Sequence, residues 1–154
     1  MKHLAQINIA RLLYARDDDR VADFFANIDR VNAAAERMPG FVWILKDDCG
    51  NATSIQAFDD PGIIVNMSVW ENVETFETFV WQTVHANIYR RKTGWFEQMT
   101  KPHFAMWWIE AGHEPTAQEG RARLEHLQAN GPSDHAFGWE SVPSAKLWRE
   151  ARCG

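Results

Sequence analysis

Residues 66–96, NMSVWENVETFETFVWQTVHANIYRRKTGWF, constrain this chain more than any other stretch. They read as the end of a strand, a sharp break at Glu71-Asn72, a helix carrying one histidine, and a second helical segment rich in Arg and Trp. Asn72 is suited to cap the first helix. Val73, Phe76, Phe79, Val80 and Val84 run along it, and Gly94 punctuates a second segment ending near Met99. A strand that passes straight into an amphipathic helix needs further strands to pair with and a layer to bury both.

The rest of the chain supplies them. Leu4 to Tyr14 reads as a strand, with Ala5, Ile7 and Ile9 alternating with Gln6 and Asn8. Asp17 to Asp19 place carboxylates at a helix start. Val21, Phe24, Phe25, Ile28, Val31, Ala35 and Met38 then keep helical spacing until Pro39-Gly40 stops it. Phe41 to Lys46 is a second strand, and residues 47–62 a polar loop with room for local pairing around Ser54 to Phe58. Ile63 to Trp70 and His103 to Ala111 are the third and fourth strands. The order β-α-β-β-α-β is that of an α+β, ferredoxin-like split unit, and it fills residues 1–115. Residues 116–154 extend the same domain. Thr116 and Glu119 form a capping box, a helix runs to Asn130-Gly131-Pro132, and a short extended stretch at Ala136–Trp139 precedes a tail of little pattern.

Net charge is -5 and the pI about 5.6, which argues against nucleic-acid and anionic-membrane partners. No run approaches the roughly 20 apolar residues of a membrane helix, and the N-terminus lacks the apolar centre of a signal peptide. Cys49 and Cys153 make no disulfide framework. A cytoplasmic protein is expected. No histidine has zinc-ligand spacing, and phosphate-loop, nucleophile-elbow and dinucleotide fingerprints are missing. Eight Trp and nine Phe exceed what one small core needs, so they line a pocket or build a subunit interface.

Strand parity sorts the faces. Ile63, Val65, Met67 and Val69 share one side, as do Ala5, Ile7 and Ile9, and are expected against the helices. Gln6, Asn8, Asn66 and Ser68 then look away from them, joined by Phe41 and Trp43 in an aromatic wall with convergent amides. Such a face suits a pocket for a small hydrophobic or aromatic ligand, or a wet dimer interface. Left bare it would be a large apolar patch, so a second copy is expected over it, giving a homodimer, with the C-terminal helix as an alternative cover. Trp107 and Trp108 must face opposite sides. Trp43, Trp81 and Trp107 are candidates for the pocket wall, and Trp43, Trp81 and Trp95 read most simply as core or interface.

His85 shares a helical side with Trp81 and Ile88. It is suited to general base catalysis, to axial ligation of a haem iron, or to a structural hydrogen bond. Asn66 would orient a substrate carbonyl or a water, or satisfy nearby backbone. Arg90, Arg91 and Lys92 form a basic run in an acidic chain. Arg91 and Lys92 read as solvated, and Arg90 is the one candidate for an anionic substrate group. No metal site is expected.

Trp70-Glu71-Asn72 with Phe76, Phe79 and Val84-His85 resembles a pattern of the dimeric α/β-barrel superfamily. That superfamily includes antibiotic biosynthesis monooxygenase-like proteins, IsdG-like haem-degrading enzymes and polyketide cyclases. Residues 4–140 more closely resemble a bacterial family of unknown function within it. The motifs are GFVWIL at 40–45, VNMSVWEN at 65–72, FVWQTVHANIYRRKTGWF at 79–96, MWWIEAGHEPT at 106–116 and RLEHLQANGPSDHAF at 123–137. The resemblance implies a dimeric barrel. It also implies cofactor-independent oxygenation, or isomerisation/cyclisation, of an aromatic or polyketide-like molecule, with His85 as base and Asn66 orienting. Its alternatives are a haem-binding protein with His85 as ligand and a non-catalytic binding or stress-response dimer.

Overall fold

The computed structural model describes residues 1–46 and 55–145. The strands are β1 (Lys2–Arg11), β2 (Phe41–Ile44), β3 (Ile63–Trp70) and β4 (Phe104–Glu110). The helices are α1 (Ala22–Glu36), α2 (Val73–Gln82), α3 (Val84–Arg90) and α4 (Ala117–Asn130). The sheet order is β2-β3-β1-β4 and every neighbouring pair is antiparallel. This is the ferredoxin-like α+β arrangement expected from the order of elements. β1 sits at its centre, pairing Leu4 with Trp70 on one side and with Trp108 on the other.

Local chemistry sets the ends of the elements. Asp18 accepts from the backbone N–H of Arg20 at the turn that leads into α1. Asn72 caps α2 by accepting from Thr75 N, and Thr116 caps α4 by accepting from Glu119 N. Gly40 has φ +84, and a Cβ there would lie 2.5 Å from Thr75 Oγ1. The turn into β2 therefore needs glycine for its backbone angle and for its closeness to α2. β1 ends earlier than its hydrophobic run, at Arg11. Leu12 instead makes an isolated bridge to Phe96 in the turn that follows α3. That turn is a short 3₁₀ helix at Lys92–Gly94, not a helix reaching Met99. No helix of the described residues is long and apolar enough to cross a membrane.

The face assignment read from parity is inverted. Ala5, Ile7, Ile9, Val65, Met67, Val69, Ala105, Trp107 and Ile109 do share a face, but Leu124 and Leu127 of α4 cover it. Gly120 lets α4 come close, since a Cβ there would lie 2.8 Å from Met67 Sδ and 3.0 Å from Ile7 Cδ1. Leu4, Trp70 and Met106 lie on the other face and pack with Val31, Val73, Phe76, Phe79 and Val80 from α1 and α2. Gln6, Asn8, Asn66 and Ser68 share that face by register, so the amides lie under the helices and not away from them. The physical reason is that the sheet has two covers. Parity tells which residues share a face, not which layer lies over it. The open face from which a second copy was expected is closed by α4 within one chain.

Two further expectations change. The register shifts between Phe41 and Trp43, so Phe41 pairs with Trp70 while Trp43 pairs with Val69. Trp43 therefore packs on the aliphatic face and Phe41 on the amide face, and they form no common wall. Trp107 is fully buried under α4, and Trp108 points to the helix side at the sheet edge, 43% exposed. Of the loop at 47–62, residues 55–62 are described and hold no strand, while Ile55, Ala57 and Phe58 pack on the aliphatic face. Ser54, Cys49 and Cys153 lie outside the described residues. The stretch expected at Ala136–Trp139 holds single bridges, Ser133 to Ala136 and Phe137 to Met106, before a 3₁₀ turn at Trp139–Ser141.

Candidate functional site

The antiparallel register sets Gln6 opposite Ser68 and Asn8 opposite Asn66. Their side chains form one network. Gln6 Nε2 donates to Asn66 Oδ1 at 2.9 Å and to Ser68 Oγ at 2.8 Å. Asn8 Nδ2 donates to Gln6 Oε1 at 3.0 Å and to Asn66 Oδ1 at 3.1 Å. Trp70 Nε1 donates to Ser68 Oγ at 2.9 Å. Gln6 is 1% exposed and Ser68 4%, so these bonds replace water for groups that have almost none.

Counting donors and acceptors shows what is left. Both N–H bonds of Gln6 and both of Asn8 are spent, and Asn66 Oδ1 accepts twice. Asn66 Nδ2, a double donor, and Asn8 Oδ1, an acceptor, have no hydrogen-bond partner among the described residues. The two asparagines are half-buried and sit opposite each other. One unspent donor and one unspent acceptor thus remain on two residues that face each other across β1 and β3.

The surroundings are apolar at both ends. Toward Leu4, Trp70 stacks on Phe79 with ring centres 5.3 Å apart, while Phe76, Trp139 and Phe104, which pairs with Asn8, stack on one another at 5.3 to 6.2 Å. Toward Leu12, a second cluster gathers Val21, Phe24, Ile64 and Trp95. Ile88 packs against both clusters, so α3 bridges them on the side of the sheet that carries the amides.

His85 lies at the aromatic margin. α2 stops at Gln82 because Thr83 is extended, with φ -125 and ψ -168. Thr83 Oγ1 donates to Phe79 O and accepts from His85 N, starting α3. The break leaves the last carbonyls of α2 without helical partners. His85 Nδ1 meets one of them, Val80 O, at 3.1 Å. The ring nitrogen must donate there, which puts the proton on Nδ1 and leaves Nε2 with its lone pair. Nε2 has no partner among the described residues. Burial pushes the His85 pKa below the ordinary histidine value, opposed in part by the Val80 bond. The imidazole is therefore neutral at pH 7. Phe79 and Tyr89 pack on it with ring centres 5.3 and 6.4 Å away.

The structure brings Gln6, Asn8, Asn66 and Ser68 together as a set. It links His85 to them through Phe79 and Trp70, with no direct hydrogen bond between His85 and Asn66. Trp81 is farther out, beside Tyr89 and Trp139, with its Nε1 buried and without a hydrogen-bond partner among the described residues. Trp43 and Trp107 are on the opposite face, where Trp107 Nε1 donates to Glu119 Oε2 at 3.0 Å. Arg90 is exposed at the end of α3. Arg91 pairs with Asp23 at 2.6 Å, and Lys92 sits 3.9 Å from the Tyr89 ring centre. Trp70 and Phe79 are the residues the sequence reasoning did not mark for the site. Trp70 shares parity with Asn66 and Ser68, which was the available signal.

No group of three or more His, Cys, Asp or Glu able to hold a metal occurs among the described residues. Two aromatic rings pack on the His85 imidazole. A hollow of about 40 Å³ lies between α1 and α3, with Asn87 and Ile88 in its lining, and one of about 400 Å³ lies near Trp108.

A ferredoxin-like α+β sheet carrying an amide belt beneath aromatic helices defines the class of protein. The chain belongs to the family described as Domain of unknown function (DUF3291), whose model matches residues 3–153. A search of the curated proteins found no match. Among solved structures, the chain is similar to SnoaB, a cofactor-independent oxygenase from Streptomyces nogalater, at 17% identity and a TM-score of 0.45. That match covers 74% of this chain and 97% of that one. NE2512, a protein of unknown function from Nitrosomonas europaea, is 14% identical with a TM-score of 0.49, covering 75% and 97%. PA3566 from Pseudomonas aeruginosa is 9% identical with a TM-score of 0.47, covering 71% and 93%. At these values the likenesses carry no statement about chemistry.

Proposed function

We propose that this chain acts on a small aromatic or polyketide-like molecule held between the sheet and α2–α3. The reaction is cofactor-independent oxygenation, or isomerisation/cyclisation. Asn66 Nδ2 holds a substrate carbonyl, Asn8 Oδ1 accepts from a neighbouring hydroxyl, and neutral His85 takes a proton through Nε2. Loss of that proton to leave an enolate is the first step common to both reactions. The observation that carries the reading is the unspent donor and acceptor on an otherwise satisfied, largely buried network. A polar network that keeps a free donor and a free acceptor within an apolar layer is suited to orient a ligand.

One observation favours a second reading. His85 Nδ1 ties down a carbonyl at the end of α2, a structural job that needs no substrate. On that reading the chain binds its ligand without turnover. A homodimer in the cytoplasm belongs to the proposal under either reading, and its contact would use a surface other than the sheet face that α4 covers.

The test uses hydroxylated polycyclic aromatics, calorimetry for binding, and oxygen uptake with product mass for turnover. Asn66→Leu is expected to weaken binding about tenfold or more, as a lost hydrogen bond in a dry site does. His85→Gln is expected to keep binding and lower kcat about 10²- to 10⁴-fold. Binding with no turnover in the unaltered protein would leave the non-catalytic reading standing. A Soret band on haem addition that disappears in His85→Ala would replace both.

A further inference from the structure

The hollow of about 400 Å³ near Trp108 belongs to neither the amide belt nor His85. It lies at the β4 edge of the sheet, where β1 is the neighbouring strand on one side and a single bridge to Phe137 lies on the other. Phe137 builds its wall. Its N–H donates to Met106 O at 3.0 Å, and its carbonyl accepts from Met106 N at 2.7 Å. These bonds hold the chain after α4 beside the edge strand. Trp108, Phe137, Val73, Val142, Pro132 and Pro143 give it an apolar lining, and Ser133 and Ser141 add two hydroxyls. Trp108 and Phe137 have ring centres 6.4 Å apart, and Trp108 keeps 43% of its surface exposed. Among the described residues, only Met1 is a more exposed large hydrophobic side chain.

Asp134 is the only charged residue lining this hollow. It has neither a salt-bridge nor a hydrogen-bond partner among the described residues. An aromatic floor attracts a cation over the ring face, and a free carboxylate at the rim attracts it again. The net charge of -5 adds a field of the same sign. An anion would meet repulsion. The volume is within the range of small-molecule sites.

We propose that this groove binds a small organic amine: an ammonium group carried on an aromatic or aliphatic body. The body lies on Trp108 and Phe137 and the ammonium faces Asp134. This site is independent of the aromatic substrate site between sheet and helices.

The experiment titrates the full chain with 2-phenylethylamine, a cation at pH 7, and with 2-phenylethanol, its neutral counterpart. Calorimetry gives the affinities, and the Trp108 indole N–H resonance, assigned with Trp108→Phe, reports the place. The expected result is about tenfold tighter binding of the amine, with a shift of that resonance. Asp134→Asn should abolish the preference and Trp108→Ala should abolish binding, while Asn66→Leu should leave both intact. Equal affinity for amine and alcohol overturns the proposal. A preference that survives Asp134→Asn, or binding that leaves the Trp108 resonance unmoved, overturns it as well. Amine binding that light scattering shows to require dissociation of a dimer would assign the groove to a second copy instead.

Discussion

On one face of the sheet Ile7, Met67 and Trp107 meet Leu124 and Leu127 of α4. On the other, Gln6, Asn8, Asn66 and Ser68, one residue along the same strands or the next, spend most of their hydrogen bonds on one another. The aliphatic face gains from burial alone and needs no direction. The amide face must hold several distances at once, and an incomplete network would cost more than an apolar replacement. Packing accounts for the first face. The second carries two polar groups that packing does not account for, and those are where a ligand reading gains its footing.

The largest effect that would break this contrast is on the aliphatic side. Leu124 is fully buried, so Leu124→Ala is expected to destabilise by about 3 kcal/mol in urea unfolding, the usual range for such cavities. It should leave ligand affinity unchanged. A loss well under 1 kcal/mol would mean that α4 is not the cover drawn here. On the amide side, Gln6→Leu removes one partner each of Asn8 Nδ2, Asn66 Oδ1 and Ser68 Oγ. About 2 kcal/mol should be lost. Making Gln6, Asn8, Asn66 and Ser68 all apolar together should recover most of that loss and abolish ligand binding. Recovery of stability with binding retained would remove the amides from the site.

The smallest effect is in pH. The folded-state pKa of His85 is lowered by burial, as are those of His103 and His135. Just below the ordinary value of 6.5 the unfolded chain therefore binds more protons than the folded one. The stability tied to neutral histidine is present above pH 6.5 and falls as the solution is acidified below it. His85→Gln should flatten the fall of stability between pH 7 and 5 without removing it, because His103 and His135 still titrate. Asp18, held at about 2 by its bonds to Arg20, acts only at lower pH. An unchanged slope in His85→Gln would show that its imidazole is open to water.

Much of the fold was legible. The two periodicities gave strands and helices in order, and Asn72, Thr116 and Gly40 act at the element ends as their chemistry suggests. The grouping of Gln6, Asn8, Asn66 and Ser68 was legible too, because parity alone puts them on one face. Trp43 was misplaced because the shift beside Phe41 breaks the period of two, and an irregularity of one residue leaves little mark in the sequence. Parity left open which of Trp107 and Trp108 faces the amides, because it cannot label a face as site or core, and the tertiary structure puts Trp107 on the aliphatic face.

The sequence by itself determined what is local: where elements start and stop, and which side chains share a face. These follow from caps, backbone angles and alternation within a few residues. Only the tertiary structure decided which layer covers which face. That choice rests on contacts between residues far apart in the chain, such as Gly120 against Met67 and Ile7. It decided likewise that Asn66 keeps a free donor, and that His85 finds the Val80 carbonyl once Thr83 has ended the helix.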